Sequence, residues 1–102
     1  MIMKQFEISL TSKALSDVDK LRFAIVFKYR APLTAKRYLK GLNDTIQSLK
    51  IGADSIQINS ELSGLHGFDI RRINYKEMAI LYSIEDNIVY IHRIMPQSMI
   101  IF

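Results

Sequence analysis

The sequence contains no cysteine, and this absence excludes several classes of protein at once. Without thiols the chain can form no disulfide framework, no thiolate metal site and no cysteine nucleophile. The two histidines, His66 and His92, do not have the spacing of a helical pair of ligands, and no motif supplies further ligands. We therefore expect neither a metal nor a cofactor.

Long apolar runs are missing as well. No stretch approaches the roughly 20 apolar residues that a membrane-spanning helix requires, and the charged Lys4 and Glu7 near the start argue against a signal peptide. The composition, with 49% hydrophobic and 24% charged residues, is that of a globular protein. We expect a soluble cytoplasmic protein without membrane contact, in which residues 1–102 form one domain with one modest core.

Acidic residues are absent from one basic segment of the chain. The formal net charge is +4, and residues 28–40 contain cations without a single acid. These cations are Lys28, Arg30, Lys36, Arg37 and Lys40. Such a segment fits a polyanionic partner, either a nucleic acid or an acidic protein, and Lys36 and Arg37 are candidate contacts. The alternative is that these residues form the solvated side of two amphipathic helices.

The apolar pattern predicts two helices after a first strand at residues 4–10. The first helix follows Thr11 and Ser12, either of which can cap it. It ends near Arg30, because the residue before a proline avoids the helical conformation. A second helix with one apolar face runs from about Leu33 to Gly52. Apolar residues lie on more than one side of the first helix, so we expect it to be heavily buried. The residues that widen its apolar stripe are Phe23, Val26 and Phe27.

The second half of the chain predicts a loop and three strands. Residues 53–67 are polar and contain two glycines, which indicates a long loop. Residues 68–75, 78–84 and 88–95 are rich in β-branched and aromatic residues, which indicates strands joined by short turns. The order β-αα-βββ predicts an α+β domain, with a helical hairpin packed on one face of a mainly antiparallel sheet.

A two-residue turn at Asp86 and Asn87 sets the expected register of the last two strands. The expected cross-strand pairs are Ile84 with Val89, Ser83 with Tyr90, Tyr82 with Ile91, Leu81 with His92, and Ile80 with Arg93. One apolar face then packs against the helices, with Arg93 on that side. The opposite face stays open and carries Arg72 and His92 on either side of Leu81.

The segment "RRINYKEMAILYSIEDNIVYIHRI", residues 71–94, resembles the RelE/ParE superfamily, the toxins of bacterial type II toxin–antitoxin modules. The helical segments "ALSDVDKLRFAIVFKYR" and "TAKRYLKGLNDTIQSL" have the pattern that is usual in this family. The resemblance covers nearly the whole chain. It implies a toxin that a cognate antitoxin neutralises by wrapping around it and covering much of the surface that meets the target.

The resemblance is closer to ParE-like members, which inhibit DNA gyrase, than to RelE-like members, which cleave mRNA on the ribosome. Positions that carry arginines in RelE-like enzymes correspond to Ala79 and to about Ser98, whereas a basic position on the preceding strand is kept as Arg72. We therefore expect inhibition by binding. The alternatives are a ribosome-dependent endoribonuclease that uses Arg72, His92 and Arg93, and a non-toxic interaction module with the same fold.

The expected site lies on the open face of the sheet. Arg72 and His92 are the candidate catalytic residues if the protein is an enzyme. The candidate contacts with the target or partner are Arg72, Tyr90, His92, Arg93, Lys36 and Arg37. The apolar residues 99–102 are expected to be covered by a partner, because an exposed apolar patch usually marks an interface. A homodimer is left open.

Overall fold

The computed structural model describes residues 4–100, apart from the side chain of Tyr29. The last two residues of the predicted apolar tail, Ile101 and Phe102, lie outside this part. The strands are β1 (Glu7–Leu10), β2 (Ile58–Asn59), β3 (Ile70–Tyr75), β4 (Met78–Glu85) and β5 (Ile88–Pro96). The helices are α1 (Ser12–Tyr29), α2 (Pro32–Gln47), α3 (Leu49–Gly52) and α4 (Ser60–His66), with 3-10 turns at Ala53–Ser55 and Gln97–Met99.

The sheet has five strands in the order β1-β5-β4-β3-β2. β1 runs parallel to β5, and the other neighbouring strands are antiparallel. The helical hairpin α1–α2 packs on one face of this sheet through a shared apolar core. The predicted α+β class and the mainly antiparallel sheet are therefore confirmed. None of the helices within residues 4–100 is long and apolar enough to span a membrane.

Local signals in the sequence determine the ends of the helical hairpin. The Thr11 hydroxyl accepts a hydrogen bond from the Ala14 amide at 3.2 Å, which satisfies one free N–H at the start of α1. Arg30 ends the helix in the left-handed conformation, with φ of 49°. Pro32 is the first residue of α2, a position where its missing N–H costs nothing. Both boundaries agree with the prediction. The far end does not, because the helix predicted to continue to Gly52 ends at Gln47 and the separate helix α3 follows it.

Hydrogen bonds from Tyr82 and Arg71 hold the segment that follows α3 against the sheet. The buried Tyr82 hydroxyl donates to the Ala53 carbonyl at 2.7 Å, and burial raises the pKa of Tyr82 to about 12. Arg71 donates to the carbonyls of Asp54 and Ile56 at 2.8 and 2.9 Å, and to that of Ala53 at 3.4 Å. Arg71 therefore stabilises the fold by satisfying three backbone carbonyls.

The prediction that α1 is heavily buried is wrong. Only one stripe of the helix packs inside, and its buried members include Ala14, Leu21 and Ile25. The residues expected to widen that stripe face solvent instead. Their exposed fractions are 70% for Phe23, 55% for Val26 and 75% for Phe27. The helix lies on the surface of the domain, and nothing within the described residues covers its outer side.

The predicted long loop at residues 53–67 is also wrong, because it contains β2 and α4. Asn59 caps α4 by accepting a hydrogen bond from the Leu62 amide at 3.0 Å, and Gly67 ends it with φ of 78°. Leu62 belongs to a second apolar cluster on the face of the sheet opposite the hairpin. The other buried members of this cluster are Ile70, Ala79 and Leu81. The face predicted to be open is thus partly covered.

Candidate functional site

A β-bulge in β5 changes the predicted register of the candidate site. From the turn up to the pair Tyr82–Ile91, the two strands pair as predicted. Beyond that pair β5 carries one extra residue, His92, so that Leu81 pairs with Arg93 and not with His92. The bulge moves every later residue of β5 to the other face of the sheet, since side chains alternate along a strand. By this alternation Arg93 belongs to the face of the sheet opposite the helical hairpin. The prediction that it lies on the side of the helices is therefore wrong.

The bulge is held by groups from the start of the chain. The amide of Thr11 donates to the Ile91 carbonyl at 3.0 Å, and its hydroxyl donates to the His92 carbonyl at 3.3 Å. β1 ends at Leu10, just before this point. The amide and the hydroxyl of Thr11 thus bind the carbonyls of Ile91 and His92 at the bulge. The pairing of β1 with β5 ends at this point.

Arg93 is bound to a buried carboxylate of α1. Its Nε lies 2.8 Å from Oδ2 of Asp17, and its Nη2 lies 3.3 Å from Oδ1. The same Oδ2 accepts the amide of Ile94 at 3.0 Å. Ile80 consequently pairs with Ile94, and the predicted pair of Ile80 with Arg93 is wrong. The Asp17 carboxylate thus binds the edge of β5 beyond the end of β1, and the guanidinium of Arg93 is held in this ion pair.

A groove of about 460 Å³ opens beside the turn between β4 and β5. Its lining consists of Phe68, Asp69, Ser83, Ile84, Glu85, Tyr90 and His92. The centre of the His92 ring lies 5.0 Å from that of Phe68 and 6.5 Å from that of Tyr90. Nε2 of His92 lies 2.7 Å from the Ser83 hydroxyl. We call this feature the aromatic groove.

The aromatic groove carries negative rather than positive charge. Burial lowers the pKa of His92, and the nearby His66 lowers it further. His92 is therefore largely neutral at physiological pH. The groove lining contains the carboxyl groups of Asp69 and Glu85, and neither lysine nor arginine. In a protein with a net charge of +4, this face is unsuited to a phosphate backbone and suited to a neutral or basic protein surface.

Arg72 lies in a separate network on the same face. It pairs with Leu81, as predicted. Its guanidinium donates to Oδ1 of Asn74 and to Oε1 of Gln97, both at 2.9 Å. Gln97 in turn donates to the Lys76 carbonyl at 2.8 Å. Arg72 therefore ties the end of β5 to the turn between β3 and β4, and it shares no hydrogen-bond partner with His92.

The remaining predicted residues fall into two groups. Tyr90 and His92 come together in the aromatic groove. Lys36 and Arg37 are exposed on α2, which covers the other face of the sheet. Of the predicted apolar tail, Met99 is exposed and Ile100 packs against the second apolar cluster.

Sequence reasoning missed Phe68, Asp69 and Glu85 as parts of the groove. Phe68 and Asp69 lie just before β3, and Glu85 pairs with Ile88 at the end of β4, next to the turn. The alternation of side chains within the strands did not place these three residues beside His92. The one available signal was the turn at residue 86, because it brings the ends of β4 and β5 together and with them Glu85 and Tyr90.

A family model matches nearly the whole chain, and a solved structure shares its fold. Residues 8–101 match the family model described as the ParE toxin of the type II toxin–antitoxin system parDE. Among solved structures, the chain is similar to one titled as the chromosomal ParDE toxin–antitoxin system from P. aeruginosa, with 18% identity and a TM-score of 0.76. The alignment covers 91% of this chain and 97% of the other. No curated protein matches the chain.

Proposed function

Because the chain belongs to the ParE toxin family of type II toxin–antitoxin systems, we propose that it arrests growth by binding DNA gyrase and that a cognate antitoxin neutralises it. Both proteins act in the cytoplasm, where the target is found. The aromatic groove is the surface that meets the target. Its lining of rings and carboxylates carries this proposal, because it suits a protein partner better than a nucleic acid.

The aromatic residues of the groove give it the character of a binding surface. Phe68 is 46% exposed although it is a large apolar residue, and Tyr90 and His92 extend its ring surface along β5. Aromatic residues contribute most of the binding energy at many interfaces, since they bury a large area with few rotatable bonds. A rigid sheet holds these rings in place before the partner arrives, which reduces the entropy lost on binding.

The surroundings of the arginines that RNA cleavage would need favour inhibition by binding over cleavage. Cleavage at a 2′-hydroxyl needs a base, together with cations that stabilise the charge developing on the phosphate. Arg93 is engaged by Asp17, and Arg72 is engaged by two neutral amide oxygens. The position that corresponds to a catalytic arginine of RelE-like enzymes is Ala79, which is fully buried. His92 could accept a proton, but among residues 4–100 neither a lysine nor an arginine lines its groove.

A growth assay in cells, together with supercoiling and mRNA-cleavage assays of the purified protein, tests this proposal. We expect the native chain to arrest growth when expressed alone and to inhibit supercoiling by gyrase, with no cleavage of mRNA on ribosomes. Truncating both Phe68 and Tyr90 to alanine should weaken gyrase inhibition at least about 30-fold, since the loss of even one anchor residue at an interface costs about 2 kcal/mol. Leu65→Ala is the matched control, because Leu65 is an exposed apolar residue outside the groove.

Each alternative has its own outcome in these assays. Ribosome-dependent cleavage that is lost in the Arg72→Ala, His92→Ala double variant, with supercoiling unaffected, would establish the endoribonuclease instead. A folded native chain that affects neither gyrase nor ribosomes, and does not arrest growth, would indicate a non-toxic interaction module. Gyrase inhibition that survives the loss of both Phe68 and Tyr90 would refute the groove as the binding surface.

A further inference from the structure

The aromatic groove presents ring surfaces and carboxyl groups side by side. Phe68, Asp69 and Glu85 are exposed side chains of its lining. Tyr90 and His92 are half-buried and supply the remaining rings. The volume of about 460 Å³ falls in the range of sites that hold small molecules, so the groove is large enough for one long side chain. A single ligand can therefore meet ring faces and negative charge at the same time.

The chain itself does not neutralise the carboxyl groups of the groove. The salt bridges formed within residues 4–100 involve neither Asp69 nor Glu85, and no lysine or arginine of that part of the chain lines the groove. Burial holds the pKa of His92 below its ordinary value, so this ring adds little positive charge near neutral pH. Both carboxylates are therefore available to a cation from outside.

The rings are held in place before any ligand arrives. The rings of Phe68 and His92 are tilted by 48° with their centres 5.0 Å apart, and those of Tyr90 and His92 are tilted by 38° at 6.5 Å. The Ser83 hydroxyl lies 2.7 Å from Nε2 of His92 and fixes the orientation of that ring. Aromatic rings attract a cation that lies over their faces, and rings that are already ordered lose little entropy when they bind it.

Rings and carboxylates together select one class of ligand. Two carboxylates repel a phosphate or a nucleic-acid backbone. A metal ion needs more ligands than the groove supplies, because residues 4–100 contain no group of three or more side chains that could hold one. An apolar side chain would cover the rings but would take the carboxylates out of water without a partner. A cationic side chain satisfies both the rings and the carboxylates.

Arginine fits the groove better than lysine does. The guanidinium is planar, stacks on aromatic rings and donates two parallel hydrogen bonds to one carboxylate. The lysine ammonium is a compact and strongly hydrated charge that cannot stack or bind a carboxylate in this way. A groove that offers several rings and two carboxylates provides both kinds of contact that a guanidinium makes.

We propose that the aromatic groove is a receptor site for an arginine side chain of the protein target. The guanidinium packs against the rings of Phe68 and Tyr90 and binds the carboxylates of Asp69 and Glu85. This inference rests on the proposed function in taking the groove as the surface that meets the target. It adds a requirement that the target must meet, which is an exposed arginine long enough to enter the groove.

Two small probes test the site on the purified chain without any target. Nα-acetyl-arginine amide and Nα-acetyl-citrulline amide have nearly the same shape, but only the first carries a charge. In NMR titrations the arginine probe should shift the ring signals of Phe68, Tyr90 and His92 at millimolar concentrations. The citrulline probe should bind at least about tenfold more weakly, because it has neither the cation–π attraction nor the ion pairs.

Removal of the two groove charges is the matching change in the protein. The Asp69→Asn, Glu85→Gln variant should bind the arginine probe at least about tenfold more weakly than the native chain does. The control is Asp19→Asn, Glu61→Gln, which removes the same net charge from two exposed side chains outside the groove. Its affinity for the probe should stay within about threefold of native.

A supercoiling assay separates this inference from the proposed function. If both hold, the native chain and the control variant inhibit gyrase, while the Asp69→Asn, Glu85→Gln variant inhibits it at least about tenfold more weakly. No inhibition by the folded native chain would refute the proposed function, and the probe titrations would still decide the inference. Equal affinity for the two probes, or no shift of the ring signals with either, would overturn it. Inhibition by the groove variant within about threefold of native would overturn it as well.

Discussion

Replacing Asp17 with alanine should destabilise the domain strongly, because this carboxylate accepts hydrogen bonds from two different residues. It accepts from the guanidinium of Arg93 at 2.8 Å and from the amide of Ile94 at 3.0 Å. Asp17 is only 8% exposed, and Ile94 only 2%. In the variant, water cannot readily replace the carboxylate at the Ile94 amide, which becomes an unsatisfied buried donor.

The two contacts contribute unequally to the expected loss. An unsatisfied buried amide costs about 1–3 kcal/mol, and a hydrogen bond to a charged group contributes about 1.5–3 kcal/mol. The side chain of Arg93 is 30% exposed, so water compensates for part of its lost partner, and the ion pair counts near the low end. We expect a total of about 3 kcal/mol, which corresponds to a decrease in Tm of roughly 12–24 °C for a domain of this size.

Asp17→Asn is the matched variant, because it keeps the shape and one acceptor oxygen but removes the charge. That oxygen can still accept from the Ile94 amide, so we expect a loss of about 1 kcal/mol. Urea denaturation followed by circular dichroism measures both losses on the same scale. A loss below about 0.5 kcal/mol for the alanine variant, which is typical of an ordinary surface position, would refute the reasoning. Equal losses for the two variants would show that the amide of Ile94 does not matter.

Two further predictions concern other parts of the molecule. The pKa of His92 in the folded protein lies below its ordinary value of 6.5, so the stability that its neutral form contributes is present above about pH 6.5 and is lost as the pH falls below it. Urea denaturation between about pH 5 and 7.5 should show this loss in the native chain but not in His92→Gln, and equal pH profiles would contradict it. In Gly41→Ala the new Cβ would overlap the hydroxyl of Tyr75, which donates to the Tyr38 carbonyl at 2.9 Å. Thermal unfolding should show a loss of about 1–3 kcal/mol, whereas Gly64→Ala, which meets no neighbour within 4 Å, should cost nothing.

The sequence predicts most of the fold because its strongest signals are local. Pro32 fixes the joint between the two helices, and the turn at Asp86 fixes the pairing of β4 and β5 as far as Ile91. The bulge at His92 could not be predicted in this way. It depends on donors and an acceptor supplied by Thr11 and by α1, which are remote in the sequence.

The candidate site was predicted only in part, for the same reason. The strand pattern placed Tyr90 and His92 on one face, but it could not show that Phe68 completes their surface from outside the strand. Periodicity also could not tell whether Phe23 and Phe27 face the core or a partner. Both outcomes require an apolar residue at the same helical positions, and only the packing of the two layers decides between them.

The parallel pairing of β1 with β5 has a consequence for synthesis of the protein. Glu7 pairs with Ile88, and the contact from Thr11 to His92 spans 81 residues. At about 5–20 residues per second, a ribosome needs roughly 4–16 s to translate that distance. During this interval β1 has no strand to join, and the aromatic groove lacks the strand that carries two of its rings. A nascent chain therefore cannot complete this groove until β5, residues 88–96, has been made.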